Sequence, residues 1–135
     1  PGPTYREAIL MHAVSRLVLH PHITNIQTSW VKMGPAGVKA CLAAGVNDIG
    51  GTLMNESITR AAGATFGQEL PPETMENLIR ETGRTPRQRT TFYAQPPLGQ
   101  TSHSFGASIL EASINPAPLP RKSRRKTETA RFGRL

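Results

Sequence analysis

The chain has 135 residues and a formal net charge of +7, and 37% of its residues are hydrophobic. This length fits one modest domain, and the low apolar content predicts that part of the chain is not packed. A single cysteine, Cys41, excludes an internal disulfide framework and favours a reducing compartment, the cytoplasm. No apolar run reaches the ~20 residues that span a bilayer, so we expect no membrane partner.

The first helix is predicted to begin at Thr4. Thr4 and Glu7 have the spacing of a capping box, and Pro21 predicts that the helix ends before it, because proline disfavours helix in the preceding residue. The apolar positions between these limits recur at helical spacing. They are Leu10, Val14 and Leu17, widened by Ile9 and Ala13.

Two short runs of β-forming residues follow, and a helical pattern separates them. The first predicts a strand over Ile23–Thr28, and the second predicts a strand over Val46–Ile49. Between them, Pro35 suits the first position of a helix and Gly45 the position just past its end. The order helix, strand, helix, strand is typical of parallel strands with helical crossovers, which is an α/β architecture.

Three later segments have local signals. The sequence NESITRAAG predicts a short helix capped near Asn55 or Ser57. A stronger helix is predicted between Pro72 and Gly83, with Met75, Leu78 and Ile79 as its apolar face. The sequence RQRTTFY is expected to be extended.

Two strands cannot form an independent parallel sheet, whose faces must both be covered, and a (βα)8 barrel takes about 250 residues. We therefore expect residues 1–93 to be the C-terminal portion of a (βα)8 barrel, with about two strands and their flanking helices. The start at Pro1 rather than Met agrees with that expectation. Residues 94–135 are expected to be a low-complexity, mostly disordered tail, with a transient helical turn over Ala107–Ala112.

The positive charge is concentrated in this tail. Residues 121–135 hold seven basic side chains and one acidic one, a net charge of +6, whereas the other 120 residues hold nine basic and eight acidic groups, a net charge of +1. The sequence RKSRRK is typical of a nucleic-acid or nuclear-localisation patch, which gives a binding module as an alternative function. It lacks interleaved aromatic residues for base stacking, so a solvated tail is favoured and a nucleic-acid partner is not.

Reactive groups of parallel α/β folds lie at the carboxyl ends of the strands. The two strand ends and the loop after the second carry polar groups and a glycine pair that are the candidate substrate- or cofactor-binding residues. A carboxylate in such a position must face a cavity or be paired. The candidates are Gln27, Trp30, Lys32, Asp48, Gly50, Gly51, Thr52, Asn55 and Glu56; none of them is assigned as a catalytic base.

Each candidate also has a purely structural interpretation. Gly50 and Gly51 suit a tight turn as well as close approach to a ligand, and they match neither a Walker loop nor GxGxxG. Asn55 and Glu56 could begin a helix. Trp30 could pack at the rim, and the charge of Lys32 could simply be solvated.

No metal site is predicted from this chain alone. Its four histidines lack zinc-ligand spacing, and one cysteine cannot hold zinc or an iron–sulfur cluster. Cys41 falls mid-helix among alanines, which is typical of a buried, unreactive thiol.

The segments TYREAILMHAVSRLVLHPHITNIQTSWVKMG, AGVNDIGGTLMNESITRAAGA and GRTPRQRTTFY closely resemble the C-terminal part of the FO synthase family. These are radical S-adenosylmethionine enzymes of deazaflavin biosynthesis, and the resemblance runs from about Pro3 to Tyr93. Related menaquinone-pathway enzymes share the strand followed by Gly-Gly-Thr. They tend to continue with two glutamates where this chain has Asn55-Glu56-Ser57, so the deazaflavin branch is preferred and the menaquinone branch is the alternative.

The resemblance implies a radical SAM barrel whose CxxxCxxC motif holds a 4Fe–4S cluster that cleaves S-adenosylmethionine. It implies tyrosine and 5-amino-6-ribitylaminouracil as substrates, which this module joins before a second radical SAM module closes the ring. The chain lacks CxxxCxxC, so we expect the cluster and the remaining strands to lie in a missing N-terminal barrel portion and the chain alone to be inactive.

The resemblance also gives the candidate residues expected roles. Gly50 and Gly51 would leave room at the barrel mouth for substrate or for the methionyl end of the cofactor. The polar residues after the second strand would hydrogen-bond the uracil, ribityl or amino-acid groups. Gln27, Trp30 and Lys32 would line the neighbouring strand end, where the indole could exclude water or stack on a ring.

Overall fold

The computed structural model describes residues 2–52, 58 and 68–110. Four helices lie in these ranges, and we number them in chain order: α1 Tyr5–Leu19, α2 Trp30–Ala43, α3 Pro72–Arg80 and α4 Gln100–Gly106. The short helix predicted near Asn55, most of its loop and the basic segment 121–135 lie outside the described residues. Within the described part, no helix has the length and apolar character required to cross a membrane.

Helix α1 begins as its sequence predicts. The Glu7 N–H donates to Thr4 Oγ1 at 3.3 Å, and the Thr4 N–H donates to Glu7 Oε2 at 2.7 Å, which completes the capping box. The hydrogen bonds that Thr4 donates to the ionised carboxylate of Glu7 lower the pKa of Glu7. The helix ends at Leu19, where His20 is already extended.

Helix α2 begins earlier than predicted, at Trp30 rather than Pro35. The Ser29 carbonyl accepts from Met33 N at 2.9 Å, which forms one helical turn. Gly34, with φ 65°, then breaks the turn, and the helix resumes at Pro35. Trp30 and Lys32 therefore lie on a helical turn and not in a strand-exit loop, because the local backbone bonds after Ser29 close a turn at once. Gly45, with φ +105°, follows the helix end as predicted.

The segments predicted as strands lie side by side and run in the same direction. They meet at one isolated parallel bridge, Gln27–Asp48, and the described residues contain no longer ladder. Side chains satisfy much of the remaining backbone: Asn47 Oδ1 accepts from Ile26 N at 2.9 Å. The strands as predicted, over Ile23–Thr28 and Val46–Ile49, are therefore not formed at that length. The (βα)8 architecture stays a prediction.

The core lies between α2, the bridged segments and α3. Val38, Cys41 and Val46 are fully buried at its centre, which confirms the burial predicted for Cys41. Helix α3 contributes Leu78, and α1 contributes partly buried side chains at its edge. The whole apolar cluster consists of Ile26, Trp30, Val31, Val38, Cys41, Leu42, Val46, Ile49, Leu70 and Leu78.

Helix α4 lies in the region predicted to be mostly disordered. Of the helical turn predicted at Ala107–Ala112, the described residues 107–110 are not helical, because α4 ends at Gly106 and Ala107 is already extended. Helix α4 makes a tertiary contact that the local pattern does not indicate: Gln88 Nε2 donates to Ser104 Oγ at 2.9 Å. Residues 111–135 lie outside the described part of the chain.

Arg16 joins α1 to both bridged segments. Its Nε donates to the Gly45 carbonyl at 2.7 Å and its Nη1 to the Thr24 carbonyl at 2.8 Å. Its Nη2 donates to Asn47 Oδ1 at 2.7 Å. A methyl group at Gly45 would lie 2.8 Å from Arg16 Cγ, so the glycine provides both the positive φ and the room for this side chain.

We predict that Arg16→Met lowers the free energy of unfolding by about 3 kcal/mol, because three acceptors lose a charged donor. Urea unfolding followed by circular dichroism measures the change. Arg6→Met, on the exposed part of the same helix, is the matched control and should be nearly neutral. Equal unfolding midpoints for the two variants would contradict the role given to Arg16.

Candidate functional site

The candidate site lies where the two bridged segments end together. The Thr28 N–H donates to the Asp48 carbonyl at 2.9 Å, and the Asn47 N–H donates to the Ile26 carbonyl at 3.1 Å. Because the segments are co-directional, Gln27 and Asp48 lie at one edge, with Gly50 and Gly51 just beyond. We call this edge the rim and define it by these four residues.

The Asp48 carboxylate is 7% exposed, and the protein itself occupies both of its oxygens. Oδ1 accepts from the Gly50 N–H at 2.8 Å, and Oδ2 accepts from Arg89 Nε at 2.7 Å. The carboxylate therefore fixes the turn at Gly50 and is neutralised by the guanidinium. A carboxylate at a strand end must face a cavity or be paired, and in the structure Asp48 is paired.

Sequence reasoning missed Arg89. Its guanidinium lies 4.2 Å from the centroid of the Tyr93 ring, and its Nη1 donates to the Thr90 carbonyl at 3.1 Å. The side chain is 30% exposed, so part of it faces solvent beside the rim. The clue in the sequence was the carboxylate of Asp48. It has no cation beside it along the chain and therefore needs one from elsewhere in the chain.

The glycine pair forms a turn that two neighbouring side chains hold. Gly50 has φ +78°, and a Cβ there would lie 3.0 Å from Gln27 Nε2. The indole of Trp30 is buried, and its Nε1 donates to the Gly51 carbonyl at 2.8 Å. An added Cβ on Gly51 would meet no atom of the described residues within 4 Å, so those residues leave that side of the turn open.

The other candidates differ in accessibility. Gln27 and Lys32 are exposed, and Thr52 is partly buried with its carbonyl accepting from Leu70 N at 3.2 Å. Asn55 and Glu56 lie outside the described residues. The structure thus brings together Gln27, Asp48 and the glycine pair, adds Trp30 beneath them, and places Lys32 on the surface of α2.

The described residues offer no set of ligands for a metal ion. No group of three or more His, Cys, Asp and Glu side chains is clustered there. The one thiol, Cys41, is fully buried, with its sulfur 3.9 Å from His12 Nδ1. This ring nitrogen also lies 2.7 Å from the Ala8 carbonyl, a local bond within α1.

The Asp48–Arg89 pair predicts an asymmetric response to mutation. Arg89→Met leaves a buried carboxylate without its partner and should lower the free energy of unfolding by about 3 kcal/mol. Asp48→Asn leaves a partly exposed guanidinium that solvent can reach, so we expect a loss of about 1 kcal/mol. Urea unfolding of both single variants and of the double variant gives the free energy of interaction between Asp48 and Arg89.

The exposed pair Lys39–Glu81 is the matched control, with side chains 43% and 56% exposed. Lys39→Met should change the free energy of unfolding by less than about 1 kcal/mol. Equal losses for Arg89→Met and Lys39→Met would show that the Asp48 carboxylate is not held by Arg89.

Comparison with known proteins gives one matching family and a number of similar enzymes. Residues 3–103 match the family described as the CofH/MqnC C-terminal region. The 5-amino-6-(D-ribitylamino)uracil–L-tyrosine 4-hydroxyphenyl transferase of Methanopyrus kandleri is 54% identical over 93 residues, which are 69% of this chain and 25% of that protein. The enzyme of the same name from Archaeoglobus fulgidus is 52% identical over 92 residues, 68% of this chain and 27% of that protein.

A third relative is the FO synthase of Streptomyces avermitilis, 46% identical over 97 residues, which are 72% of this chain and 11% of that protein. No solved structure matches the chain. The chain thus spans about a quarter of the length of the transferases and a smaller share of the FO synthase. The family match also continues past Tyr93 into α4. On this evidence the chain belongs to the family of the CofH/MqnC C-terminal region.

Proposed function

We propose that this chain forms the C-terminal portion of a (βα)8 radical SAM barrel and that its rim borders the substrate. The observation that carries the proposal is the parallel Gln27–Asp48 bridge, which puts polar groups from two chain segments at one edge. In (βα)8 enzymes the active site lies at the carboxyl ends of the barrel strands. The bridge supports that placement, because both segments reach the edge in the same direction.

The proposed reaction follows the names of the relatives. The relatives' names give tyrosine and 5-amino-6-ribitylaminouracil as the two substrates. As the family resemblance implies, the reaction would join a tyrosine-derived hydroxybenzyl group to the uracil in deazaflavin cofactor biosynthesis. Supporting it is an identity of 54% over 93 residues to a transferase named for these two substrates. The family description covers two branches, and all three relatives above have deazaflavin-type names, which favours this branch over the menaquinone one.

The residues of this chain do not fit an iron–sulfur cluster. Such a cluster needs several thiolates, and the sequence has one cysteine, which is fully buried. We therefore propose that the cluster is held by the upstream part of the family's barrel, where S-adenosylmethionine would also bind. The second radical SAM module is proposed as a further partner, and the 135-residue chain by itself is expected to lack coupling activity.

The rim residues would contribute binding and shape. Gln27 is exposed and its amide can both donate and accept, which suits the uracil or ribityl groups. The described residues leave one side of Gly51 open, where a ligand would approach the backbone. Asp48 would act indirectly, by holding the Gly50 turn, and Trp30 would support the turn from below.

The alternative functions have less support. No observation in the described residues favours nucleic-acid binding, since the basic segment 121–135 lies outside them. The lone thiol of Cys41 supports the cytoplasm as the proposed compartment, because oxidising compartments favour disulfide frameworks.

The test uses a chimera in which residues 3–103 of this chain replace the matched segment of the Methanopyrus kandleri transferase. Gln27→Ala should lower kcat/KM for coupling about tenfold, which corresponds to one lost hydrogen bond to substrate of about 1.4 kcal/mol. Mass spectrometry of the coupled product gives the rate. Iron content of each variant shows that the cluster is retained.

Gln100→Ala is the matched control, since Gln100 is an exposed glutamine on α4. It should leave the rate unchanged. Asp48→Ala and Glu56→Ala are also expected to lower coupling while iron is retained. If Gln27→Ala and Gln100→Ala give the same rate, the rim does not border the substrate.

A further inference from the structure

Arg89 has more hydrogen-bond donors than the described residues use. A guanidinium carries five N–H groups in one planar fork. Nε donates to Asp48 Oδ2, Nη2 forms an ion pair with the same oxygen, and Nη1 donates to the Thr90 carbonyl. Within residues 2–52, 58 and 68–110, one N–H on each Nη nitrogen is therefore left without an acceptor. We call these two groups the open end of Arg89.

The turn at residues 90–94 holds this guanidinium in one orientation. The Thr90 N–H donates to the Ala94 carbonyl at 2.9 Å, and the Tyr93 N–H donates to the Thr90 carbonyl at 3.0 Å. Thr90 Oγ1 accepts from the Ala94 N–H at 3.1 Å. These bonds keep Tyr93 at φ 60°, a conformation that non-glycine residues rarely adopt. The Tyr93 ring consequently covers one face of the guanidinium.

Solvent reaches the cation of this pair more easily than the acid. The side chain of Arg89 is 30% exposed and that of Asp48 only 7% exposed. Tyr93 is 48% exposed, so part of its ring is also accessible beside Arg89. The ion pair is thus a dipole whose positive end is the more exposed one, and such an end attracts an anion.

We propose that Arg89 binds the α-carboxylate of tyrosine, the amino-acid substrate, through its open end. Two parallel N–H groups of a guanidinium match the two oxygens of a carboxylate. The exposed part of the Tyr93 ring gives an aromatic side chain a surface to pack on. The inference rests on the proposed function, which supplies tyrosine as the ligand.

Two molecules of the proposed reaction carry this chemistry. Tyrosine and S-adenosylmethionine both have an α-carboxylate, whereas 5-amino-6-ribitylaminouracil has none. The aromatic surface of Tyr93 favours tyrosine, and the experiment measures both amino acids separately.

The test is equilibrium dialysis with the chimera that carries residues 3–103 within the Methanopyrus kandleri transferase. No reductant is added, so nothing turns over. The ligands are tyrosine, S-adenosylmethionine and tyrosinamide, in which a neutral amide replaces the carboxylate. Arg89→Lys keeps a cation for Asp48 but lacks the planar fork. It should raise the Kd of tyrosine about tenfold and that of tyrosinamide less than about twofold, and leave that of S-adenosylmethionine unchanged.

Arg87→Lys is the matched control, because Arg87 is an exposed arginine two residues earlier whose Nη2 donates to Gln95 Oε1 at 3.3 Å. It should leave all three Kd values unchanged. Equal increases for tyrosine and tyrosinamide in Arg89→Lys would make Arg89 a purely structural residue and overturn the proposal. A loss confined to S-adenosylmethionine would assign the open end to the cofactor and also overturn it.

A second measurement needs no substitution at Arg89, so it covers a variant that fails to fold. Phenylglyoxal modifies accessible guanidinium groups, and mass spectrometry of peptides assigns the modified residue. Tyrosine at about ten times its Kd leaves about a tenth of the sites free, so it should slow modification of Arg89 about tenfold. Tyrosinamide should give much less protection, and Arg87 should react equally fast throughout. An Arg89 that does not react, or that tyrosine does not protect, would overturn the proposal.

The two proposals fail separately. Coupling by a chimera whose Kd for tyrosine does not depend on Arg89 would overturn the role of Arg89 and leave the proposed function intact. Binding of tyrosine that depends on both Arg89 and the carboxylate, without any coupling, would support the role of Arg89 and count against the proposed function.

Discussion

The three hydrogen bonds of Arg16 set the arrangement on which the rest of the structure depends. One guanidinium contacts the Thr24 carbonyl, the Gly45 carbonyl and the Asn47 side chain, which belong to two segments that are distant in sequence. A planar group with five donors suits this task, because it can satisfy several acceptors in fixed directions. The two segments therefore lie side by side and run in the same direction from their first residues.

The rim is a consequence of that alignment. Once Asn47 and Ile26 exchange hydrogen bonds, the next residues, Gln27 and Asp48, are opposite each other. Asp48 then turns the chain at Gly50, and Trp30 holds Gly51 from the other segment. A carboxylate buried in this position would be unfavourable alone, and Arg89 provides the compensating charge from a later part of the chain. The family resemblance gives this arrangement a proposed role at the mouth of a barrel.

Local signals in the sequence predicted the parts of the fold that depend on local chemistry. The capping box of Thr4 and Glu7, the glycine after α2 and the helix beginning at Pro72 all require only near neighbours along the chain. The same reasoning placed Gln27 and Asp48 at neighbouring strand ends, because each lies near the carboxyl end of a run of β-forming residues. Their expected roles toward a ligand stay predictions.

Long-range contacts could not be predicted in this way. Nothing near Arg16 or Arg89 in the sequence indicates which acceptors they reach, since those lie 29 and 41 residues away at Gly45 and Asp48. Helix α4 is bonded to a distant residue through Gln88 and Ser104, and its own weak apolar pattern does not indicate that contact. Helix α1 shows the converse, because its apolar pattern was predicted correctly while side chains such as Leu17 and Val18 are exposed.

The most direct measurement of the co-directional bridge is amide hydrogen exchange of the 135-residue chain by NMR. We expect slow exchange at Thr28 and Asn47, whose N–H groups bond across the two segments, and fast exchange at Gln27, whose N–H has no backbone partner among residues 2–52, 58 and 68–110. Fast exchange at Thr28 and Asn47, equal to that of Gln27, would contradict the parallel alignment.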